Sequence, residues 1–263
     1  MSQSKKIIVN NIVKGDNVID FSNVGSNEIM LHNEVNSQST LTITNIGDIE
    51  TLKINVNEGS YLRLSILFDL IKKPLKFEIN VKNSAVLETF FAELSAFSLD
   101  FDCEINLLEE NASAYVKLAS IASDDNNKKI CINVNHLVAK TYGKVDNYGV
   151  CKDNGKLLFA GTSYIYKNAI KSKTQQNARI MVFDEASNGI AKPILKIDEN
   201  DIEASHAAVV GKINDEHLFY LTSRGISEAE SKHLITMGYL NPILAGFNDE
   251  NKEYISSLIE RRI

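Results

Sequence analysis

Thiolate and imidazole are the side chains that hold soft and borderline metals, so the three cysteines and five histidines come first. Cys103, Cys131 and Cys151 are odd in number and show neither CxxC nor CxxH spacing, which argues against a disulfide framework and a preformed zinc site. Cys103 falls inside an alternating strand pattern, where a reduced cysteine packs as a small hydrophobe. His32, His136, His217 and His233 are scattered, and surface or half-buried polar positions account for them. His206 has a different setting. An acidic corner, Asp198-Glu199-Asn200-Asp201, precedes the strand Glu203-Ala204-Ser205-His206-Ala207-Ala208-Val209-Val210-Gly211. On that strand Glu203 and Ser205 point to one face, Ala204 and His206 to the other. A neutral imidazole there is a candidate metal ligand, but one histidine makes no site, and the other ligands would have to come from another chain. The motifs GxGxxG, GxxxxGK, HExxH and GxSxG are absent.

Composition narrows the classes. The 263 residues are 44% hydrophobic and 24% charged, which suits one large domain with a small appendage. The net charge of −6 comes from 34 acidic and 28 basic residues mixed along the chain, with no basic stripe to neutralise phosphates, so nucleic acid is not expected as a partner. Met1-Ser2-Gln3-Ser4-Lys5-Lys6 leads into an apolar run, Ile7-Ile8-Val9, far shorter than a signal-peptide core. The most apolar later stretch, Leu62 to Ile71, is broken by Arg63, Ser65 and Asp69, so no membrane span is expected and the cytoplasm is the expected location.

The elements that must position His206 follow from periodicity. Leu41–Ile46, Leu52–Val56, Leu75–Val81, Phe97–Leu107, Ala114–Leu118 and Ile130–Val134 alternate apolar and polar residues. The runs recur every ~10 to 20 residues with no helical stretch between them, which disfavours βαβ units. The pattern implies about thirteen strands, more than a single sandwich usually holds. Tight hairpin signals are scarce, Asp153-Asn154-Gly155 being the clearest, whereas Asn and Ser gather at strand ends and suit the wider corners of a β-solenoid. The fold class expected over residues 1–213 is mainly β, a β-solenoid ahead of a sandwich or a closed barrel.

After Ile213 the pattern becomes helical. Asn214-Asp215-Glu216 opens a short helix that stops at Gly225, and Ser227-Glu228-Ala229-Glu230 is a capping box for a second helix over about Glu228 to Tyr239. Pro242 starts a further turn, and a last helix follows Asn248 with Tyr254, Ile255, Leu258 and Ile259 as one stripe, expected to pack on the neighbouring helix. So small a bundle has an aromatic surplus, Phe219, Tyr220, Tyr239, Phe247 and Tyr254, that could leave an apolar face open for a partner, and Phe219, Tyr220, Arg224, Leu234 and Tyr239 are the candidates for partner binding.

Taken together, Pro193-Ile194-Leu195-Lys196-Ile197, the strand bearing His206, Leu218-Phe219-Tyr220-Leu221 and Ser223-Arg224-Gly225-Ile226 resemble the C-terminal signature of the SufB/SufD family of iron–sulfur cluster assembly proteins. Gly161-Thr162 and Gln175-Gln176-Asn177-Ala178-Arg179 are similar to the family pattern upstream. The resemblance implies a right-handed parallel β-helix and a helical C-terminal domain, residues 214–263, that docks an ABC-type ATPase, SufC. SufB carries an essential cysteine on the strand before this region, and Asn177 to Val182 has none, which points to a SufD-like subunit. In that case His206 would face a SufB-like partner and help hold the nascent cluster, with Glu203 a weaker candidate. The chain departs from the pattern at Ala204, where SufD often has cysteine, and at Ala207, where SufD usually has glycine and SufB glutamate. No cofactor is expected to stay on the chain alone, only iron or a transient cluster in the complex. The role implied is a scaffold, not an enzyme. The alternatives are a SufB-like homodimer holding the cluster on its own cysteines, or an intracellular solenoid enzyme acting on a sugar polymer.

Overall fold

The computed structural model describes residues 7–71 and 73–263, so Lys5-Lys6 at the start lies outside the described residues. The first eight strands are β1 (Ile7–Ile12), β2 (Gly15–Asp20), β3 (Glu28–Asn33), β4 (Gln38–Asn45), β5 (Thr51–Val56), β6 (Tyr61–Phe68), β7 (Leu75–Val81) and β8 (Val86–Glu93). The second eight are β9 (Leu99–Leu107), β10 (Ser113–Ala122), β11 (Asn127–His136), β12 (Tyr142–Cys151), β13 (Lys156–Ile165), β14 (Lys173–Val182), β15 (Asn188–Ile197) and β16 (Glu203–Lys212). Odd strands form one eight-stranded parallel sheet in the order β1-β3-β5-β7-β9-β11-β13-β15, and even strands form the other. Each odd–even pair is one coil of a β-solenoid, stacked in sequence order. The described residues thus hold sixteen strands, three more than the periodicity implied, because short polar-rich strands such as β1 and β2 alternate too weakly to be read.

Corners rather than hairpins join the strands. A left-handed residue recurs at successive odd-to-even corners, at Asn36, Gly59, Ser84, Asn111, Lys140 and Asn168, and the corners bond to one another, as in Asn36 N–H to Glu58 O (2.9 Å) and Gly59 N–H to Asn83 O (2.9 Å). Asn and Ser tolerate this backbone, as their placement suggested. Asp153-Asn154-Gly155 is a corner as well, not a hairpin: β12 and β13 lie in different sheets. A Cβ on Gly155 would stand 2.2 Å from Ala122 O of the coil beneath, so stacking, and not a reversal of the chain, selects glycine there.

Inward side chains fill the lumen. Phe68, Phe77, Phe91 and Phe101 form its centre, with ring centroids 5.0–6.0 Å apart. At some strand ends alternation breaks into runs buried on both faces, as in Phe90-Phe91-Ala92 and Ala119-Ser120-Ile121-Ala122. There the outward residues of the even sheet are covered by the C-terminal helices.

Those helices are α1 (Asp215–Thr222, capped by Asn214), α2 (Glu228–Leu240, capped by Ser227) and α3 (Asp249–Arg262, capped by Asn248), with a 3-10 turn at Asn241–Gly246 that contains Pro242. Ser227 accepts from the Glu230 amide at 3.2 Å, the serine half of the expected capping box. Ile255, Leu258 and Ile259 are buried, but their main support is not the neighbouring helix. They join Leu240, Ile243 and Phe247 in one cluster with the outward Leu67, Phe90, Ala92, Ala119, Ile121, Val150 and Met181 of the even sheet. Tyr254 stays exposed on the stripe's edge and donates to Asp69 at 2.5 Å. The tightest point of this contact is Gly246. Its carbonyl accepts from Ser65 Oγ at 2.5 Å, and a Cβ there would lie 2.1 Å from Phe90 Cγ. Gly246→Ala is expected to destabilise the chain by about 1–3 kcal/mol through overpacking, with urea unfolding as the measurement; an unchanged midpoint would show that Phe90 yields freely.

Candidate functional site

The solenoid has an open end. No described strand lies beyond β15 or β16, so their outer edges present backbone N–H and C=O groups unpaired by any ladder. The same end leaves apolar side chains uncovered. Ile190 and Ile194 point outward from β15 and Val209 from β16, while Val210 points inward yet remains 44% exposed because no coil stacks on it. An unpaired edge lined by isoleucine and valine is a candidate association surface.

His206 lies on this end. In the β14–β16 register it stands over Gln176, with Ala204 over Thr174 and Ala208 over Ala178. Thr174, Gln176 and Ala178 are buried, so His206 faces the lumen of the last coil and is exposed through its open mouth. Beneath it the lining changes from aliphatic to polar: Thr174 Oγ1 donates to Ser163 Oγ at 2.9 Å and Gln176 Nε2 to the same atom at 2.7 Å. Asn147, one coil further in, has its Oδ1 buried without a protein partner. Of these residues only Gln176 stands out in the sequence, as part of the family pattern, and parity with Ala178 and Ile180 puts it on the inner face.

Glu203 is not brought to His206. It sits on the outer face, three-quarters exposed, in an ion pair with Lys173 at 2.7 Å. None of the cysteines reaches the open end either. Cys103 (β9) and Cys151 (β12) are buried inside earlier coils; burial holds the Cys103 thiol well above the ordinary range and pushes Cys151 up to about 12. Cys131 lies half-buried on the outer face of β11, its pKa raised by burial and then by neighbouring Asp102. Among the described residues no three His, Cys, Asp or Glu side chains converge into a metal-binding group. His206 therefore stands alone as a candidate ligand.

His136 departs from its sequence reading. It is fully buried in the lumen, Nδ1 2.8 Å from Thr141 Oγ1 and Nε2 without a partner, beside Gly143, where a Cβ would stand 2.9 Å from that nitrogen. Burial lowers its pKa to about 4, so it is a neutral structural residue.

The helices offer a second surface. Tyr220, Leu234 and Tyr239, with His217, Leu221, Ile235 and Gly238, line an apolar groove of about 390 Å3 between α1 and α2. Phe219 projects beside it at 73% exposure, and Arg224 stacks 4.4 Å over the Tyr220 ring. Tyr239 is half-buried, set edge-on to Tyr148 of β12, which fixes one wall of the groove against the solenoid. No described helix is long and apolar enough to cross a membrane.

Residues 24–239 match the family model described as SUF system FeS cluster assembly, SufBD core domain. The iron–sulfur cluster assembly protein SufD of Bacillus subtilis is 31% identical over 159 residues, 60% of this chain and 36% of that protein. SufD of Escherichia coli is 30% identical over 115 residues, 43% of this chain and 27% of that protein. SufB of Bacillus subtilis is 31% identical over 107 residues, 41% of this chain and 23% of that protein. The matched stretches thus span 23% to 36% of these relatives' own length.

Proposed function

Because the chain belongs to the SufB/SufD family of the SUF iron–sulfur cluster assembly system, we propose that it is a SufD-like scaffold subunit in the cytoplasm. It joins a SufB-like partner through its open end and a SufC-like ABC ATPase through its C-terminal helices. The observation that carries this reading is the coincidence of His206 with the uncovered edges and apolar side chains of β15 and β16. A ligand set at a surface built for association is completed by whatever chain covers it.

The chemistry follows from the imidazole. Neutral, it offers a lone pair to iron without adding charge, and the partner supplies the thiolate ligands that this end lacks. Iron and sulfide are the cargo. ATP hydrolysis belongs to the ATPase, whose movement reaches the ligand end through α1, α2 and the sheet on which α2 and α3 rest. A second copy of the chain could cover the same end, but a homodimer holding the cluster on its own thiolates would need Cys103, Cys131 or Cys151, and none lies on β14, β15 or β16.

Anaerobic affinity purification of the tagged chain tests the assembly. Wild type is expected to recover an ABC-type ATPase, a SufB-like protein and iron. His206→Ala should lose the iron and keep both partners; Tyr220→Asp with Leu234→Asp should lose the ATPase alone. Deleting residues 214–263 is a poorer test, since it would bare Leu67, Phe90, Ala119 and Ile121 on the even sheet. Full iron recovery with His206→Ala would refute the ligand role, and recovery of neither partner by wild type would refute the scaffold.

A further inference from the structure

Gln176 stands directly beneath His206 as its register partner, and both side chains face the lumen. Neighbouring parallel strands lie about 4.8 Å apart, a spacing at which stacked polar side chains can bond along a column. The odd sheet contains such a column on its outer face. Asn80 donates to Asn55 (3.2 Å), Asn106 to Asn80 (3.0 Å) and Asn135 to Asn106 (2.9 Å). That column ends on a histidine, with Asn55 Nδ2 3.1 Å from His32 Nδ1. An amide and an imidazole stacked in adjacent coils are therefore a pairing this chain already makes, there with the imidazole in the lower coil and the amide nitrogen facing it.

The inner pair adds an anchor. Gln176 Nε2 is committed to Ser163 Oγ, which Thr174 also engages, and all three side chains are buried. Ser163 holds one N–H of the amide, which limits its rotation, and the carbonyl oxygen is the acceptor it can turn toward the ring above. A metal-binding imidazole works best when its second nitrogen donates to such an acceptor, since the bond selects the tautomer and steadies the ring.

We propose that Gln176 is a positioning residue for His206: its Oε1 accepts the ring N–H, fixing one tautomer and turning the other nitrogen's lone pair toward the open end. The inference rests on the ligand role given to His206 above. Ser163 and Thr174 serve it by holding the amide in one orientation. Gln176 itself does not touch the metal.

The test is nitrogen-15 NMR of the histidine-labelled full chain, free of metal, at alkaline pH where imidazole is neutral, with the His206 signals identified by their loss in His206→Ala. Wild type and Gln176→Glu, which keeps the acceptor, are expected to show one dominant tautomer. Gln176→Leu is expected to show the averaged signals of a free imidazole. A wild-type ring as mixed as that of Gln176→Leu would overturn the proposal. In the complex, Gln176→Leu should weaken iron retention on the order of 10- to 100-fold, with Gln176→Glu closer to wild type. Iron retained in full by His206→Ala would sink the ligand role instead, which the tautomer measurement does not depend on.

Discussion

Replacing Lys128 with alanine is expected to destabilise the chain by about 3–5 kcal/mol, the largest effect of any single substitution considered. Lys128 and Glu93 are both fully buried at one corner of the lumen. The ammonium spends all three protons inside the protein, two on the Glu93 carboxylate at 2.7 and 2.9 Å and one on Ser95 O at 2.8 Å. The carboxylate also accepts from Ser95 Oγ at 2.6 Å and Ser120 Oγ at 2.5 Å. Burial pulls the Lys128 pKa down and the Glu93 charge opposes the shift. Removing the ammonium leaves a carboxylate in a dry interior with hydroxyl donors but no counter-charge. Lys128→Met combined with Glu93→Leu removes both charges, and the pair of substitutions should cost far less than Lys128→Ala alone. Urea unfolding of the three variants checks this; equal losses for the single and double variants would mean that the ion pair itself, and not the orphaned charge, sets the cost.

The second large effect is a loss of stability in mild acid, carried by His136. Its pKa is about 4 in the folded chain against 6.5 unperturbed. Between those values the unfolded chain binds a proton that the folded chain refuses, so stability falls as the pH drops. The contribution is whole above pH 6.5, is lost progressively below it and is gone near pH 4, amounting to about 3 kcal/mol. In His136→Gln, which cannot titrate, the urea midpoint should vary less with pH across that window. A midpoint as steep as wild type's would assign the acid sensitivity to other groups.

Both sites were half legible in the sequence. Parity along the strands places Lys128 with Ile130 and Ile132, Glu93 with Phe91, and His136 with Val134, all on the inner face. What alternation could not supply is the partner. Lys128 and Glu93 are separated by 35 residues and meet only because one coil stacks on another. The same limit applies to Gln176, which meets Ser163 across the lumen of its own coil and has His206 as its register partner above. Strands, helix caps and the change at Ile213 were readable because each rests on neighbours in the chain. The resting place of α3 was not, since its apolar stripe fits a helix or a sheet equally well. Breaks in alternation at Phe90-Phe91-Ala92 and Leu118-Ala119-Ser120-Ile121-Ala122 were the signal for it, because a strand buried on both faces needs a second layer.

The cluster beneath α2 and α3 draws on outward residues of β6, β8, β10, β12 and β14. In a stack where each coil touches only its neighbours, disorder spreads one coil at a time from whichever end is free. A buttress spanning five rungs changes that arithmetic, because those rungs must separate together or stay closed. Unzipping that starts at β15 and β16 is checked at the buttress. The tip that carries His206 can therefore breathe while its foundation keeps its shape.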